Sequence, residues 1–342
     1  MYLLDGAIRN YAWGSHQELA ALRGAPTPTE HPEAEMWFGT HSGDPALLAT
    51  DNDRTLRDVV AADPTHELGS ATAHTFADNL PFLLKLLAAE EPLSLQAHPS
   101  LAQAQEGYAR ENAQGVPLDA PDRNYHDPNH KPELIVGLTR FHALAGFREP
   151  QRTLELFDAL NVPQLQPYVE MLRAEPDATG IRAVMTTLIT LTADQLWECI
   201  TATQEAAQRL VAANGEWVDE SVTFLGLVSE YGNDAGALCA LLLNRITLEP
   251  GEAIHRDDFD GLTPCLRASG EPLLEDSLGA ALDHVQQSCW AAAVADRGQV
   301  DDHGHVFVAF ACVPPDVLVD AEHADAVEAV RVLDQDACAL GQ

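Results

Sequence analysis

The hydrophobic pattern changes period twice along the chain. Residues 1 to about 50 read as short strands and turns, punctuated by Gly6, Gly14, Gly39, Gly43 and Pro45. A short helix is predicted over 55–62, with Thr55 as its cap. Residues 80–99 join a Leu-rich run to an alternating one, in which Ser94, Gln96 and His98 share one strand face and Leu95 and Ala97 the other. Ser100 is placed to cap a helix over 100–111. Alternation returns over 132–148, with Leu134, Val136 and Leu138 on one face and Ile135 and Gly137 on the other. At Glu149-Pro150 the period becomes helical. Helices are predicted over 151–160, 163–174, 179–191, 193–213 and 218–230. In the fourth, Leu196, Cys199, Ile200, Thr203 and Ala207 recur near helical spacing, Asp194 suits the positive first turn, and Asn214-Gly215 is a stop signal. Residues 237–249 form an apolar, strand-like run, followed by a turn at Pro250-Gly251-Glu252.

Beyond about residue 254 the text changes character. It holds no lysine, four of the six cysteines and five of the fourteen histidines. Helices are expected at 273–281 and 323–333, and a strand at 306–313.

The alternating stretch carries candidate chemistry. A hydroxyl, an amide oxygen and an imidazole fall on one face at Ser94, Gln96 and His98. Some 35 residues later, His130-Lys131-Pro132-Glu133 brings an ammonium and a carboxylate, Lys131 and Glu133 sharing a face in an extended segment. Imidazole, carboxylate and carbonyl-type oxygen together suit a divalent metal such as zinc, and three protein donors with an open position is the catalytic arrangement. On spacing alone, an ordinary strand with a polar face accounts for the pattern equally well.

Composition narrows the partners. The 342 residues carry a formal charge of −34, from 53 acidic and 19 basic residues. Such a surface repels nucleic acid and anionic membrane, so a phosphorylated substrate needs a local positive site. The only lysines are Lys85 and Lys131. The cysteines, Cys199, Cys239, Cys265, Cys289, Cys312 and Cys338, form no C-x-x-C pair, and neither a thiolate metal site nor a dense disulfide framework is expected. With no basic-then-apolar leader and no run long enough for a membrane span, a reducing, cytoplasmic setting is expected.

Read together, Gln96-Ala97-His98-Pro99 and His130-Lys131-Pro132-Glu133 resemble the zinc motifs of type I mannose-6-phosphate isomerases. Tyr11-Ala12-Trp13-Gly14-Ser15, Ala34 through His41, Pro81 through Leu87, Asn124 through His130, and Leu241 through Ala253 resemble further blocks of that family in order. The resemblance covers about residues 1–254. It implies a mainly β fold, a cupin-type β-sandwich (jelly roll) with an inserted all-α domain. The parts are a first cupin portion at 1–149, a helical insert at 150–232 and a second cupin portion at 233–342. It also implies one zinc ion per chain and the interconversion of mannose 6-phosphate and fructose 6-phosphate. Gln96, His98 and Glu133 are implied as metal ligands, with Lys131 and His41 as catalytic residues and Ser94 and Trp13 in contact with the sugar phosphate. His126 and His130 are expected just behind the ligands. Nothing in the sequence fixes the oligomeric state.

After residue 254 the resemblance fails. Leu262 stands where the family's distal zinc-binding histidine is spaced from Glu252, and the nearest histidine, His255, is followed by Arg256. Gly261-Leu262-Thr263-Pro264 echoes a later motif, but Phe259 stands in place of the family's arginine and Cys265 in place of its lysine. Either an internal deletion makes His255 the displaced fourth ligand, or a frameshift near 254 has replaced the true C-terminal half. The abrupt change in composition favours the frameshift, in which case the apolar run 237–249 should be poorly covered. The alternatives to an active isomerase are a truncated or degenerate, weakly active or inactive family member and a non-catalytic sugar-binding cupin.

Overall fold

The computed structural model describes residues 1–96, 99–120, 123–130, 133–256, 291–293 and 305–311. In chain order the elements begin with β1 (Leu4–Asp5), β2 (Ala7–Arg9), α1 (Glu18–Leu22), β3 (Glu35–Phe38), β4 (Leu47–Leu48) and β5 (Asp51–Thr55). Next come α2 (Leu56–Ala62), α3 (Pro64–Leu68), α4 (Ser70–Thr75), β6 (Leu83–Ala89), α5 (Leu101–Ala113), β7 (Glu133–Gly137) and β8 (Phe141–Phe147). A helical run follows: α6 (Pro150–Leu160), a 3-10 turn at Pro163–Leu165, α7 (Gln166–Ala174), α8 (Ala178–Ile189), α9 (Ala193–Ala213), α10 (Val218–Tyr231) and α11 (Ala235–Ala240). The last elements are β9 (Leu243–Leu248), β10 (Ala253–Arg256), β11 (Ala291–Ala293) and β12 (His305–Ala311).

Local chemistry sets the helix ends. Thr55, Ser100 and Thr192 each form a capping box with the residue three positions on, Asp58, Gln103 and Gln195. Asn161 and Asn214 end α6 and α9 in the left-handed conformation that asparagine tolerates. The apolar run at 237–249 divides, as a helix through Ala240 and then a strand from Leu243, which corrects the single strand expected there. Asp234 explains the division: its side chain accepts the Gly236 N–H and starts a helical turn.

Six strands form one antiparallel sheet in the order β10-β7-β12-β6-β3-β2, and three form another in the order β11-β8-β9. The two meet face to face. Leu87, Ile135 and Ile254 of the larger sheet share one buried cluster with Phe141, Ala143, Ala145 and Leu248 of the smaller. On the other face of the larger sheet, Met36, Leu86 and Ala88 pack against Leu19 of α1. The expected strand near 306–313 is β12, between β6 and β7. The helices expected at 273–281 and 323–333 lie outside the described residues. Helix exceeds strand among the described residues, so the expected mainly β character does not hold for them: α1, α3, α4 and α11 add to the helices that the sequence predicts.

The helices enclose a large apolar core of their own, including Leu156, Leu172, Val184 and Phe224. Ala237 through Leu242 are buried in it. The helices therefore cover the first half of the run that was expected to be poorly covered; in its second half Leu248 is buried against the facing sheet and residues 243–247 are half-buried. Arg148, at the end of β8, ties sheet to helices. Its guanidinium donates to the Leu241 carbonyl at 2.9 Å and pairs with Glu220 at 3.4 Å. Burial lowers its pKa, which Glu220 partly offsets. Cys199 and Cys239 are buried, and burial pushes the Cys239 thiol up to about 12, as suits a packing residue.

The loop that runs into β7 is anchored on α5. The Glu111 carboxylate accepts the backbone N–H of Tyr125 at 2.9 Å and of Asn124 at 3.2 Å, with the buried Arg123 at 3.8 Å. Arg123 also donates to the carbonyls of Val116 and Tyr125. Gly107 is required beneath this loop, since a Cβ there would lie 2.4 Å from the Tyr125 ring.

Two predictions follow from these anchors. Phe224 is 1% exposed in the helical core, so Phe224→Ala should cost about 3–5 kcal/mol. A urea midpoint lowered with unchanged slope would show it, and an unchanged midpoint would place Phe224 outside a tight core. Glu111 is held below its ordinary value of 4.5, first by the Tyr125 N–H. A depressed carboxyl stabilises the fold above its unfolded pKa, and that contribution is lost as pH falls through the lower, folded value. Hydrogen exchange across 123–130, taken relative to the unfolded chain at the same pH, should therefore rise on acidification below about pH 4.5. In Glu111→Gln it should already be fast at pH 7 and lack this titration. A variant as protected as the parent would remove Glu111 as the anchor.

Candidate active site

The inner face of the larger sheet is apolar in its middle and charged to one side. Cross-strand register puts Glu35 opposite Leu87 and Arg9, and Trp37 opposite Lys85. Since Leu87 faces the inter-sheet core, so do Glu35, Trp37 and Lys85. Glu35 is 7% exposed and accepts the Trp37 indole N–H at 2.6 Å. The Lys85 ammonium lies 3.6 Å from the same carboxylate and 5.0 Å from the Trp37 ring centre. Arg9 covers that ring at 5.0 Å and pairs with Asp44. His41 meets Trp37 edge-on, ring centres 4.9 Å apart, and its Nδ1 accepts the Gly43 N–H at 3.1 Å.

Glu133 begins β7 and is half-buried. It has the parity of Ile135, which faces the inter-sheet core. One strand, β12, separates β7 from β6, with Ala309 opposite both Lys85 and Ile135 and Ala311 opposite both Leu83 and Glu133. Two strand spacings are about 10 Å. Lys85 and Glu133 thus border the same face, two strands apart and offset by two residues.

Residues 92–96 carry no strand, which corrects the alternating strand expected there; the ladder of β6 ends at Ala89. The alternation has a different origin. Leu93 enters the inter-sheet core, and Leu95 packs against the helical core. Ser94 and Gln96 are left exposed. Trp13 packs on the inter-sheet core, stacks on Tyr11 with ring centres 5.6 Å apart, and accepts the N–H groups of Glu90 and Glu91 at its carbonyl. It therefore borders the start of this segment.

The remaining expected residues are placed as follows. His98 and Lys131 lie outside the described residues. His255 pairs in register with Leu134, and Arg256 is the residue opposite Glu133. His126 is exposed, with Nδ1 at 2.9 Å from the Leu118 carbonyl, and His130 is half-buried. Among the described residues no group of three or more His, Cys, Asp or Glu is arranged to hold a metal ion. The expected set uses the amide oxygen of Gln96, and its imidazole, His98, lies outside the described residues. No helix among the described residues is long and apolar enough to cross a membrane.

Sequence reasoning passed over Glu35 and Lys85. The signal was present: Lys85 is one of two lysines and interrupts the apolar run Leu83-Leu84-Lys85-Leu86-Leu87. A lone cation in a strand that is otherwise apolar must find a partner or solvent.

Residues 1–150 match the model of the catalytic domain of type I phosphomannose isomerase. The chain is 38% identical over 258 residues to the mannose-6-phosphate isomerase of Escherichia coli (strain K12), a match covering 74% of this chain and 63% of the relative. It is 32% identical over 279 residues to that of Homo sapiens, covering 74% and 62%. The chain thus matches less than two thirds of the length of either relative. The solved mannose 6-phosphate isomerase from Salmonella typhimurium, bound to its substrate f6p and zinc, superposes with a TM-score of 0.70 at 28% identity. That match covers 91% of this chain and 68% of the other. Over the region it shares with these relatives, the chain is similar to type I phosphomannose isomerases, and its residues 1–150 match their catalytic domain.

Proposed function

We propose that this chain is a zinc-dependent aldose–ketose isomerase that interconverts mannose 6-phosphate and fructose 6-phosphate. The observation that carries the reading is the charged border of the inner sheet face, with Glu35 and Lys85 inside the region that matches the family. The two facing sheets are read as a cupin-type sandwich, with residues 150–232 as its helical insert. Zinc suits the donor set: an amide oxygen at Gln96, an imidazole at His98 and a carboxylate at Glu133; His255, the fourth candidate of the sequence, stands at the register position of Leu134, out of step with Glu133, and is not assigned to the metal. Gln96 is exposed and Glu133 half-buried. When bound, zinc would act as a Lewis acid on the sugar's carbonyl and hydroxyl oxygens.

The chain's own groups bind the sugar phosphate and move the proton between neighbouring carbons. Lys131 and Lys85 are assigned to negative charge, on the phosphate or on the oxygen that becomes anionic as the carbon proton leaves. Glu35 orients the Lys85 ammonium. In neutral His41, Nδ1 accepts from Gly43, which leaves the ring proton on Nε2, the form that donates to a sugar ring oxygen. Ser94 and Trp13 are assigned to the substrate. The highly acidic surface gives no long-range attraction for a phosphate, so these local cations must supply it.

Metal analysis and an isomerase assay on the same samples test the reading. Gln96→Ala, His98→Ala and Glu133→Ala should each lose zinc and turnover together. Lys131→Ala and Lys85→Met should keep zinc and lose turnover by about 10²-fold or more. Loss of zinc in either lysine variant would move that residue into a structural role. A parent chain that holds zinc but turns over neither sugar would establish a folded metal shell without catalysis, and one that holds no zinc would overturn the assignment.

A further inference from the structure

The segment Pro92–Gln96 has no strand partner, yet it is held on both sides. Leu93 is 9% exposed in the inter-sheet core, and Leu95 lies against the core of the helices. At the start of the segment, the Tyr231 hydroxyl donates to the Pro92 carbonyl, a contact across 139 residues of sequence. Tyr231 is the last residue of α10 and is followed by Gly232 at φ +64°. Pro92 is itself buried, and Tyr231 supplies its carbonyl with a donor. Burial and the nearby Glu91, Glu230 and Asp234 push the Tyr231 pKa up, which keeps the hydroxyl protonated as a donor.

We propose that Tyr231 is a positioning residue: through the Pro92 carbonyl, the helical insert fixes the backbone that presents Gln96 to the metal. This rests on the zinc assignment above and extends it to a residue that touches neither metal nor substrate. The physical case is entropic. An isolated loop would sample many backbone states, and each donor atom of a metal site must be held to a fraction of an ångström. Leu93 and Leu95 remove part of that freedom but are non-directional anchors. The Tyr231 hydrogen bond is the directional one, and it fixes the peptide that precedes both.

Tyr231→Phe removes only the hydroxyl of a partly exposed ring, so the fold should survive, with melting temperature and helical circular dichroism close to the parent's. Zinc affinity, measured by competition with a chromophoric chelator, should fall about tenfold, the scale seen when a group behind a ligand is removed. Amide exchange at Leu93 to Gln96 should rise while that of α6 to α9 stays the same. Unchanged zinc affinity in a zinc-binding parent overturns the positioning role. A parent that binds no zinc overturns the functional assignment and the role toward Gln96 with it. The exchange comparison separates the two failures, because it reads the hold on 92–96 with or without metal. Unchanged exchange at Leu93 to Gln96 overturns the clamp itself.

Discussion

The ion pair between Glu35 and Lys85 is the constraint around which the sheet is arranged. A carboxylate as buried as Glu35 would be costly alone, since desolvation of one unpaired charge amounts to several kcal/mol. It is offset by two contacts on one face, the Trp37 indole N–H and the Lys85 ammonium. The Lys85 ammonium in turn lies over the Trp37 ring, and Arg9 shares the same ring. This arrangement needs β2, β3 and β6 in one fixed register, because a slip of one residue would send Glu35 or Lys85 to the opposite face. The charged border is therefore a consequence of the pairing, and it commits the inner face to polar chemistry beside an apolar core.

The helices complete what the sheet begins. They bury Leu241 and Leu242 and receive Leu95 from the segment after β6. Arg148 closes the seam between β8 and α10. On the other side α5 holds the approach to β7 through Glu111 and Arg123. Of the two segments of the proposed metal site, residues 92–96 are irregular chain pinned to the helices, whereas Glu133 is the first rung of β7, at the end of a loop held by α5. Such loops can present polar donors that a paired strand would spend on its neighbours.

Features written in a few adjacent residues were legible in the sequence. The caps at Thr55 and Ser100 and the left-handed stop at Asn214 need only local hydrogen bonds, and the helices they bound fall close to where the pattern put them. What depended on distant partners was not. The alternation at 92–96 is real in its burial, but two separate cores produce it, and no local signal separates that from a strand. The run at 237–249 is apolar throughout because it crosses from the helical core to the inter-sheet core, which hid the break at Ala240. Lys85 was visible as a lone cation, but its partner Glu35 lies fifty residues upstream and is revealed only by register. The departure after residue 254 was legible as a change of composition. Of that region the described part beyond Arg256 is β11 and β12, and β12 stands between β6 and β7.

The central claim is that motifs far apart in sequence form one metal site of nitrogen and oxygen donors. X-ray absorption at the zinc edge, on the full chain loaded with one equivalent of zinc, tests it most directly. The account predicts a first shell of nitrogen and oxygen atoms only, at about 2.0–2.2 Å, with an imidazole signature that is lost in His98→Ala. A sulfur scatterer near 2.3 Å, which would bring the cysteines into the site, or a spectrum of hydrated zinc would contradict it.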